Sequence, residues 1–437
     1  MHGILTSSCD NPPMKLVLAS LAAALVVTSA AAASPSIRFG VQDDAYLSPG
    51  PSLEPNLLTL DQLGAGLVRY LVNWRQVAPT KPRHPADPGD PAYDWTAADA
   101  TLGALHARGI TVLATLVRTP AWANGGLAQN VAPTSKYALA AFATAVAKRY
   151  PWLHLWEIWN EPNLQSFLKP NSPKLYVQRL LNPAYVELQA LDPANRVAGG
   201  ATSPRSTSSG LSPVAFMRGM SAAHARLDAY SHHPYAVTRG ETPFGFARGV
   251  CRYCTGVLTM ANLEKLIREV KRDFGPKRIW LTEYGYETNP PDPNGVSWAA
   301  QAKFVAEAAE RAAAAPYVDL LVQFMLQDEG RPNGWQSGLI SSTGMFKPAF
   351  NSFMLPIAVA GRVKARTTIW GQVRPGLGPR PYVLQRLTPA GWAPVGTAGA
   401  LTDANGTYKR VVSAPPGTRF RVLALQSATA SRPVVLR

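Results

Sequence analysis

WEIWNEPN, residues 156–163, is the stretch on which the reading of the whole chain turns. With His154 and Leu155 ahead of it, the run up to Trp159 is short and largely apolar, which fits a buried strand rather than a helix. It stops at Asn160-Glu161-Pro162, and proline cannot continue a strand ladder, so Glu161 stands at the strand's exit. Glu157 shares the parity of Glu161 and points to the same side of the sheet, a position that suits a structural carboxylate paired with a buried arginine such as Arg69. A lone carboxylate at a strand end is an ordinary exit. It becomes half of a site if a second one stands at the same end of another parallel strand.

Working outward, short apolar runs alternate with longer amphipathic stretches from Ser36 to about Ala358. The strands are read at Ile37–Val41, Leu67–Leu71, Thr111–Val117, His154–Trp159, Arg196–Ala201, Ala229–His232, Arg278–Thr282 and Leu320–Phe324. Helical spacing of apolar residues follows most of them, as in Thr96–Arg108, Lys136–Tyr150, Leu258–Phe274 and Trp298–Ala314. Eight such units over residues 34–358 predict an α/β fold, a (β/α)8 barrel, whose usual length is roughly 200 to 400 residues. A doubly wound open sheet is the alternative, but no glycine-rich phosphate turn follows the first strand.

After Gly361 the texture changes to alternating segments, TTIWGQV, PYVLQRL, TYKRVVSA and RFRVLAL, separated by Pro, Gly and Asn turns. Residues 361–437 therefore read as a small all-β, sandwich-like accessory domain. This tail holds twelve Lys and Arg against one acidic residue, Asp403, and so supplies most of the net charge of +16. Such a tail suits weak association with an anionic cell surface, although charges scattered along alternating strands also describe a plainly solvated face. No nucleic-acid-binding motif accompanies the charge.

At the other end, Lys15, the apolar run Leu16–Val27 and Ala31-Ala32-Ala33 before Ser34 form a signal-peptide layout, so residues 1–33 are expected to be removed on export, with Met14 as an alternative start. The run is short of the roughly 20 residues that span a bilayer, so no stable membrane insertion is expected after cleavage. In a secreted chain, Cys251 and Cys254 are expected to form a local disulfide.

A parallel barrel places its chemistry at the carboxyl ends of its strands. There the fourth strand offers Asn160 and Glu161, the sixth SHHPY with His233 and Tyr235, and the seventh LTEYG with Glu283. The second strand carries Arg69, RTPAW after the third carries Trp122, and Trp335, Asp328 and Glu329 follow the eighth. Glu161 and Glu283 would face one cavity from opposite walls, and a pair of carboxyl groups across a cavity is what glycosidic bond cleavage requires. Trp122, after a strand end and the Thr119-Pro120 turn, and Trp335 are candidate stacking platforms, and His232 reads as a core histidine because neighbouring residues cannot both point inward.

WNEPN on the fourth strand together with TEYG on the seventh resembles clan A of the glycoside hydrolases, the 4/7 superfamily of retaining barrels, and most of all families 39 and 5. The resemblance spans roughly residues 36–358. It implies a carbohydrate substrate, Glu161 as acid/base and Glu283 as nucleophile, with Asn160 hydrogen-bonded to the sugar 2-hydroxyl. It further implies Arg69 beside the nucleophile, His233 and Tyr235 as the strand-six His-x-Tyr, and Trp335 as the strand-eight platform. No metal and no cofactor is expected. The sugar, the linkage and endo or exo action depend on loop shapes that residue patterns do not reveal.

Overall fold

The computed structural model describes residues 37–206, 210–238, 240–246, 256–331, 334–376, 378–396 and 399–436. The proposed leader and both Cys251 and Cys254 lie outside these residues. The barrel strands are β1 Arg38–Gln42, β2 Leu67–Asn73, β3 Thr111–Val117, β4 Leu155–Ile158, β5 Arg196–Thr202, β6 Ala229–His232, β7 Arg278–Tyr284 and β8 Val318–Phe324. Each lies parallel to its successor, and β8 closes on β1 with Arg38 opposite Leu320. One principal helix follows each strand: α1 Leu53–Leu63, α2 Thr96–Ala107, α3 Ala138–Arg149, α4 Asn182–Leu191, α5 Pro213–Ala222, α6 Leu263–Phe274, α7 Trp298–Ala314 and α8 Pro348–Met354. The expected (β/α)8 barrel is the fold.

The helices form for legible reasons. In α6, Leu263, Leu266 and Val270 are buried at three- and four-residue spacing, while Glu264 in the first turn and Lys271 and Arg272 in the last complement the helix dipole. It begins at Leu263 and not at Leu258, because Met260–Asn262 forms a tighter turn capped by Thr259 and Asn262. Ser297 caps α7 through an acceptor bond from the Ala300 N–H. Strand β4 is shorter than expected, Leu155–Ile158, since Trp159 at φ 73° and Glu161 at φ 41° turn the backbone left-handed.

Strand parity then builds the barrel interior in layers. Leu67, Leu113, Leu155, Ala198, Ala229, Trp280 and Leu320 fill a closed apolar layer toward the amino ends of the strands. Two residues further along, the same parity presents Arg69, Thr115, Glu157, Ser231 and Thr282, all buried. An apolar plug thus lies beneath a polar floor.

The C-terminal segment is antiparallel throughout. Strands β9 Ile357–Val363, β10 Arg366–Gln372 and β13 Thr407–Ser413 form one sheet. In the other, β11 Pro381–Thr388 lies between β12 Gly391–Pro394 and β14 Arg419–Ala424. Ile369, Tyr408 and Val412 from the first sheet meet Tyr382, Leu384, Phe420 and Val422 from the second, with the Tyr382 and Tyr408 rings stacked at 4.4 Å. The first strand starts at Ile357, a few residues ahead of the boundary expected at Gly361.

This module is fastened to the barrel. Trp370 turns away from the sandwich interior and joins the barrel core. Arg374, 8% exposed, lies between the rings of Phe39 in β1 and Phe353 in α8, its guanidinium carbon 4.1 and 4.0 Å from their centroids. Gly64 permits that approach: its φ of 69° ends α1, and an added Cβ would come within 3.0 Å of the Arg374 backbone. Replacing Arg374 with Ala is expected to remove both ring contacts and cost about 2 kcal/mol or more, since cation–π pairs shielded from water reach that size. A lower urea midpoint with an unchanged slope is the expected readout.

Candidate active site

Arg69 rises from β2 into the polar floor and is 1% exposed. Its planar fork is divided among four acceptors. Nε donates to Glu157 Oε2 at 2.7 Å, Nη2 to Asn160 Oδ1 at 2.8 Å, and Nη1 to Glu283 Oε1 at 2.5 Å and also to Gln42 Oε1. Burial works against the guanidinium's charge, but the attraction of Glu157 and Glu283 more than offsets this, and its pKa is raised. Burial likewise opposes the charge of Glu157, yet Arg69 and then His233 hold its carboxyl below the usual range. Thr115 adds a hydroxyl bond to Glu157 Oε2 at 2.9 Å.

Above the floor the left-handed turn at the end of β4 aims Glu161 into the barrel mouth. Its own N–H donates to Ala201 O at 2.9 Å and its carbonyl accepts from Leu164, which fixes the turn from both sides. Glu283 comes from β7 on the facing wall. One of its oxygens accepts from Arg69 and the other from the Tyr235 hydroxyl at 3.0 Å. His233 lies beneath both: its Nδ1 is 3.1 Å from Glu161 Oε1 and 3.5 Å from Glu283 Oε2. With two carboxylate oxygens facing it, Nδ1 carries the hydrogen. These two lengths cap the distance between the two oxygens at about 6.6 Å, their sum. Both glutamate side chains remain slightly exposed, at 13% and 12%.

They open onto a cleft of ≈ 1300 Å³, walled by Phe167, Tyr235, Phe324 and Trp335 among others. Trp335 is 43% exposed, with its ring 5.6 Å from Tyr235 and edge-on to Phe324 at 5.4 Å. Its loop is pinned from below by Lys347, a buried ammonium that donates to Asp328 Oδ1 at 2.7 Å, Thr288 Oγ1 at 2.8 Å and the Gln336 carbonyl at 3.2 Å. Asp328, which follows the eighth strand, is this buried counter-ion.

The structure therefore sorts the sequence candidates. Glu161, Glu283, Asn160, Tyr235 and Trp335 line the cleft. Arg69 and His233 do not. They are buried under it and contact the two glutamates, Arg69 beside Glu283 as the resemblance implies and His233 between Glu161 and Glu283, so neither can touch a sugar in the cleft, and their expected place among the substrate-binding residues is corrected. Trp122 is also corrected: it is not part of the cleft wall, because its indole N–H donates to Ala78 O at 2.8 Å and its ring stands edge-on against the buried Trp74. Cleft residues not singled out from sequence include Gln42 at the end of β1, Asp44 just beyond it, Arg118 after β3 and Phe167 in the β4 loop. Strand-end position was the signal available for the first three, since VQDD and LVRT each run from the last residues of a strand into its loop. Among the described residues, no group of three or more His, Cys, Asp or Glu side chains could hold a metal ion, and no helix is long and apolar enough to cross a membrane.

His232 is the core histidine expected. Nε2 donates to Leu258 O at 3.0 Å, so Nδ1 accepts from the Thr202 hydroxyl at 2.8 Å, and burial lowers its pKa from 6.5 to about 3. A folded value below the unfolded one means its share of stability is complete above pH 6.5 and is lost as pH falls from there toward 3. His232→Gln is expected to flatten the acid side of the stability profile by up to about 1.4 kcal/mol per pH unit, the weight of one proton, in urea titrations across that window.

Comparison with known proteins places this geometry. The family described as glycosyl hydrolase catalytic core is matched over residues 138–353. No curated protein matches the sequence. Among solved structures, a GH39 beta-xylosidase from Caulobacter crescentus aligns with a TM-score of 0.53 and 18% identity, over 80% of this chain and 82% of that one. A glucosidase from Croceicoccus marinus aligns at 0.57 and 15% identity, over 86% and 93%. The beta-glucosidase from Thermotoga maritima in complex with noeuromycin aligns at 0.50 and 10% identity, over 73% and 97%. At such identities the likeness is one of fold.

Proposed function

We propose that this chain, whose residues 138–353 match the glycosyl hydrolase catalytic core family, is a secreted retaining enzyme that cleaves O-glycosidic bonds of an oligo- or polysaccharide by double displacement. The observation that carries this reading is the meeting of Glu161 and Glu283 at His233 Nδ1 from strands β4 and β7. The ceiling of about 6.6 Å on that pair of oxygens favours the retaining separation of roughly 5 to 5.5 Å over the 6.5 to 9.5 Å that admits a water between the groups.

Glu161 gives its proton to the leaving oxygen while Glu283 attacks the anomeric carbon. His233 already donates to Glu161 Oε1, which leaves Oε2 to carry that proton. As the ester forms, negative charge leaves Glu283 and Arg69 loses one counter-ion, but Glu157 still balances it in the dry floor. The same carboxyl at 161 then takes a proton from water, which opens the ester. Asn160 Oδ1 is occupied by Arg69, so its amide N–H groups face the cleft and are free to donate to a sugar hydroxyl. Trp335 presents a ring face to the apolar side of a pyranose. Export rests on the leader pattern of residues 14–33.

The reading is tested with aryl glycosides and polysaccharides of plant, fungal and bacterial types. Glu283→Gln is expected to fold and to lose turnover by several orders of magnitude, and a 2-fluoro glycoside should label Glu283 in wild-type peptides. Wild-type rates in that variant would remove the nucleophile. Glu161→Gln is expected to lose about 10²- to 10⁴-fold on sugars with poor leaving groups, the usual weight of a general acid, and far less on activated aryl glycosides.

A further inference from the structure

The charges lining the cleft are sorted by side. Arg118 immediately follows β3 and Arg205 follows β5, so the two flank Glu161 at the end of β4. Across the cleft, Asp43 and Asp44 follow β1, Glu287 and Asp292 follow β7, and Glu329 follows β8, while Glu241 after β6 is buried and accepts from the Val237 N–H at 3.0 Å. One half of the rim is therefore cationic and the other anionic, with the two catalytic glutamates facing each other between them.

The acids are already engaged. Asp44 accepts from the Leu71 N–H at 2.9 Å and the Gln42 amide at 3.0 Å, and Glu329 is paired with Arg331. Asp292 accepts from the Asn294 N–H at 2.9 Å. By contrast, neither Arg118 nor Arg205 has an ion-pair partner among the described residues. Arg118 also holds a left-handed backbone, φ 69°, which a non-glycine residue adopts at an energetic cost and which recurs here at cleft-facing positions such as Trp159 and Glu161.

Chemistry assigns the two halves. Glu161 protonates the leaving oxygen, so the departing saccharide lies on the β3–β5 side. The sugar that bonds to Glu283 lies on the β7–β8–β1 side. We propose that the substrate bears an acidic saccharide in the leaving-group position, held by Arg118 and Arg205, and an uncharged sugar in the position that becomes bonded to Glu283. A guanidinium fork matches a carboxylate or a sulfate in two-pronged fashion, whereas an acidic sugar on the opposite side would face Asp44 and Glu287 across a partly dry wall. This inference rests on the double-displacement reading above.

The same geometry gives the test, because the leaving-group position is also where an acceptor binds to the glycosyl enzyme. On transfer, the bond between the anomeric carbon and Glu283 breaks, the bond to the acceptor oxygen forms, and the acceptor's proton passes to Glu161. With whichever aryl glycoside the enzyme turns over as donor, methyl β-D-glucuronide, glucose 6-sulfate and methyl β-D-glucoside would be compared as acceptors by the yield of transfer product. The anionic acceptors are expected to half-saturate transfer at roughly tenfold lower concentration than the neutral one, the scale of one or two charge-assisted contacts at a partly exposed site. The margin should shrink in 0.5 M NaCl, and the better of the uronate and the sulfate distinguishes the two kinds of acid. Arg118→Gln and Arg205→Gln should each erode it. Hydrolysis of the donor with no preference for anionic acceptors would overturn the assignment and leave the hydrolase reading standing. Failure to turn over any glycoside would remove both.

Discussion

Arg69 holds a positive charge where almost no water reaches, and this one fact constrains the centre of the molecule. A buried guanidinium must have its donors filled and its charge matched, or the cost runs to several kcal/mol. Two glutamates answer the charge, and Gln42 and Asn160 fill donors that remain. Those partners come from β1, β4, its exit turn and β7, so satisfying one side chain fixes the relative positions of three strand ends. Glu283 is held in place by what the arginine needs as much as by its own strand.

The division of labour between the two carboxylates of the floor and rim follows from depth. Glu157 and Glu161 lie on one strand and its exit, yet the first is sealed against Arg69 and the second opens to the cleft. The apolar layer beneath, which includes Trp280, denies water to the arginine from below. Polarity therefore increases in steps along the barrel axis: dry hydrocarbon, a compensated ionic floor, then two glutamates with a small exposed area. Chemistry at the top depends on that gradient, because an ion pair in the floor can shed one partner's charge during a reaction only if a second partner stays.

Aromatic residues divide in a similar way. Trp74, Trp156 and Trp159 are fully or nearly fully buried and belong to the core. Trp335 is kept partly exposed by a loop tied to a buried lysine, Lys347, whose bonds to Asp328 and the Gln336 carbonyl hold residues on either side of the tryptophan. A platform for a sugar ring must be rigid as well as exposed, and a buried cation under a surface loop provides that rigidity. The C-terminal sandwich contributes at the opposite level, through Trp370 and through Arg374 clamped between Phe39 and Phe353.

The order and type of the barrel elements were legible in the sequence, because strand length, helical spacing and proline exits are local signals. So was the pairing of Glu161 with Glu283: a carboxylate at a strand's carboxyl end keeps that position in any closed parallel barrel. The early end of β4 was not legible, since left-handed Trp159 and Glu161 are held by bonds to the flanking strands, Trp159 N–H to Leu116 O and Glu161 N–H to Ala201 O. Depth was equally hidden. Arg69 and His233 sit below the cleft and Trp122 sits beside it because of how strands stagger and loops fold over one another. The sorting of Arg118 and Arg205 to one rim and Asp44 and Glu287 to the other exists only once the circle closes. Sequence determines what a residue can do chemically and which strand carries it. Tertiary packing alone decides which groups lose their water and which groups face one another, because both depend on neighbours distant in the chain.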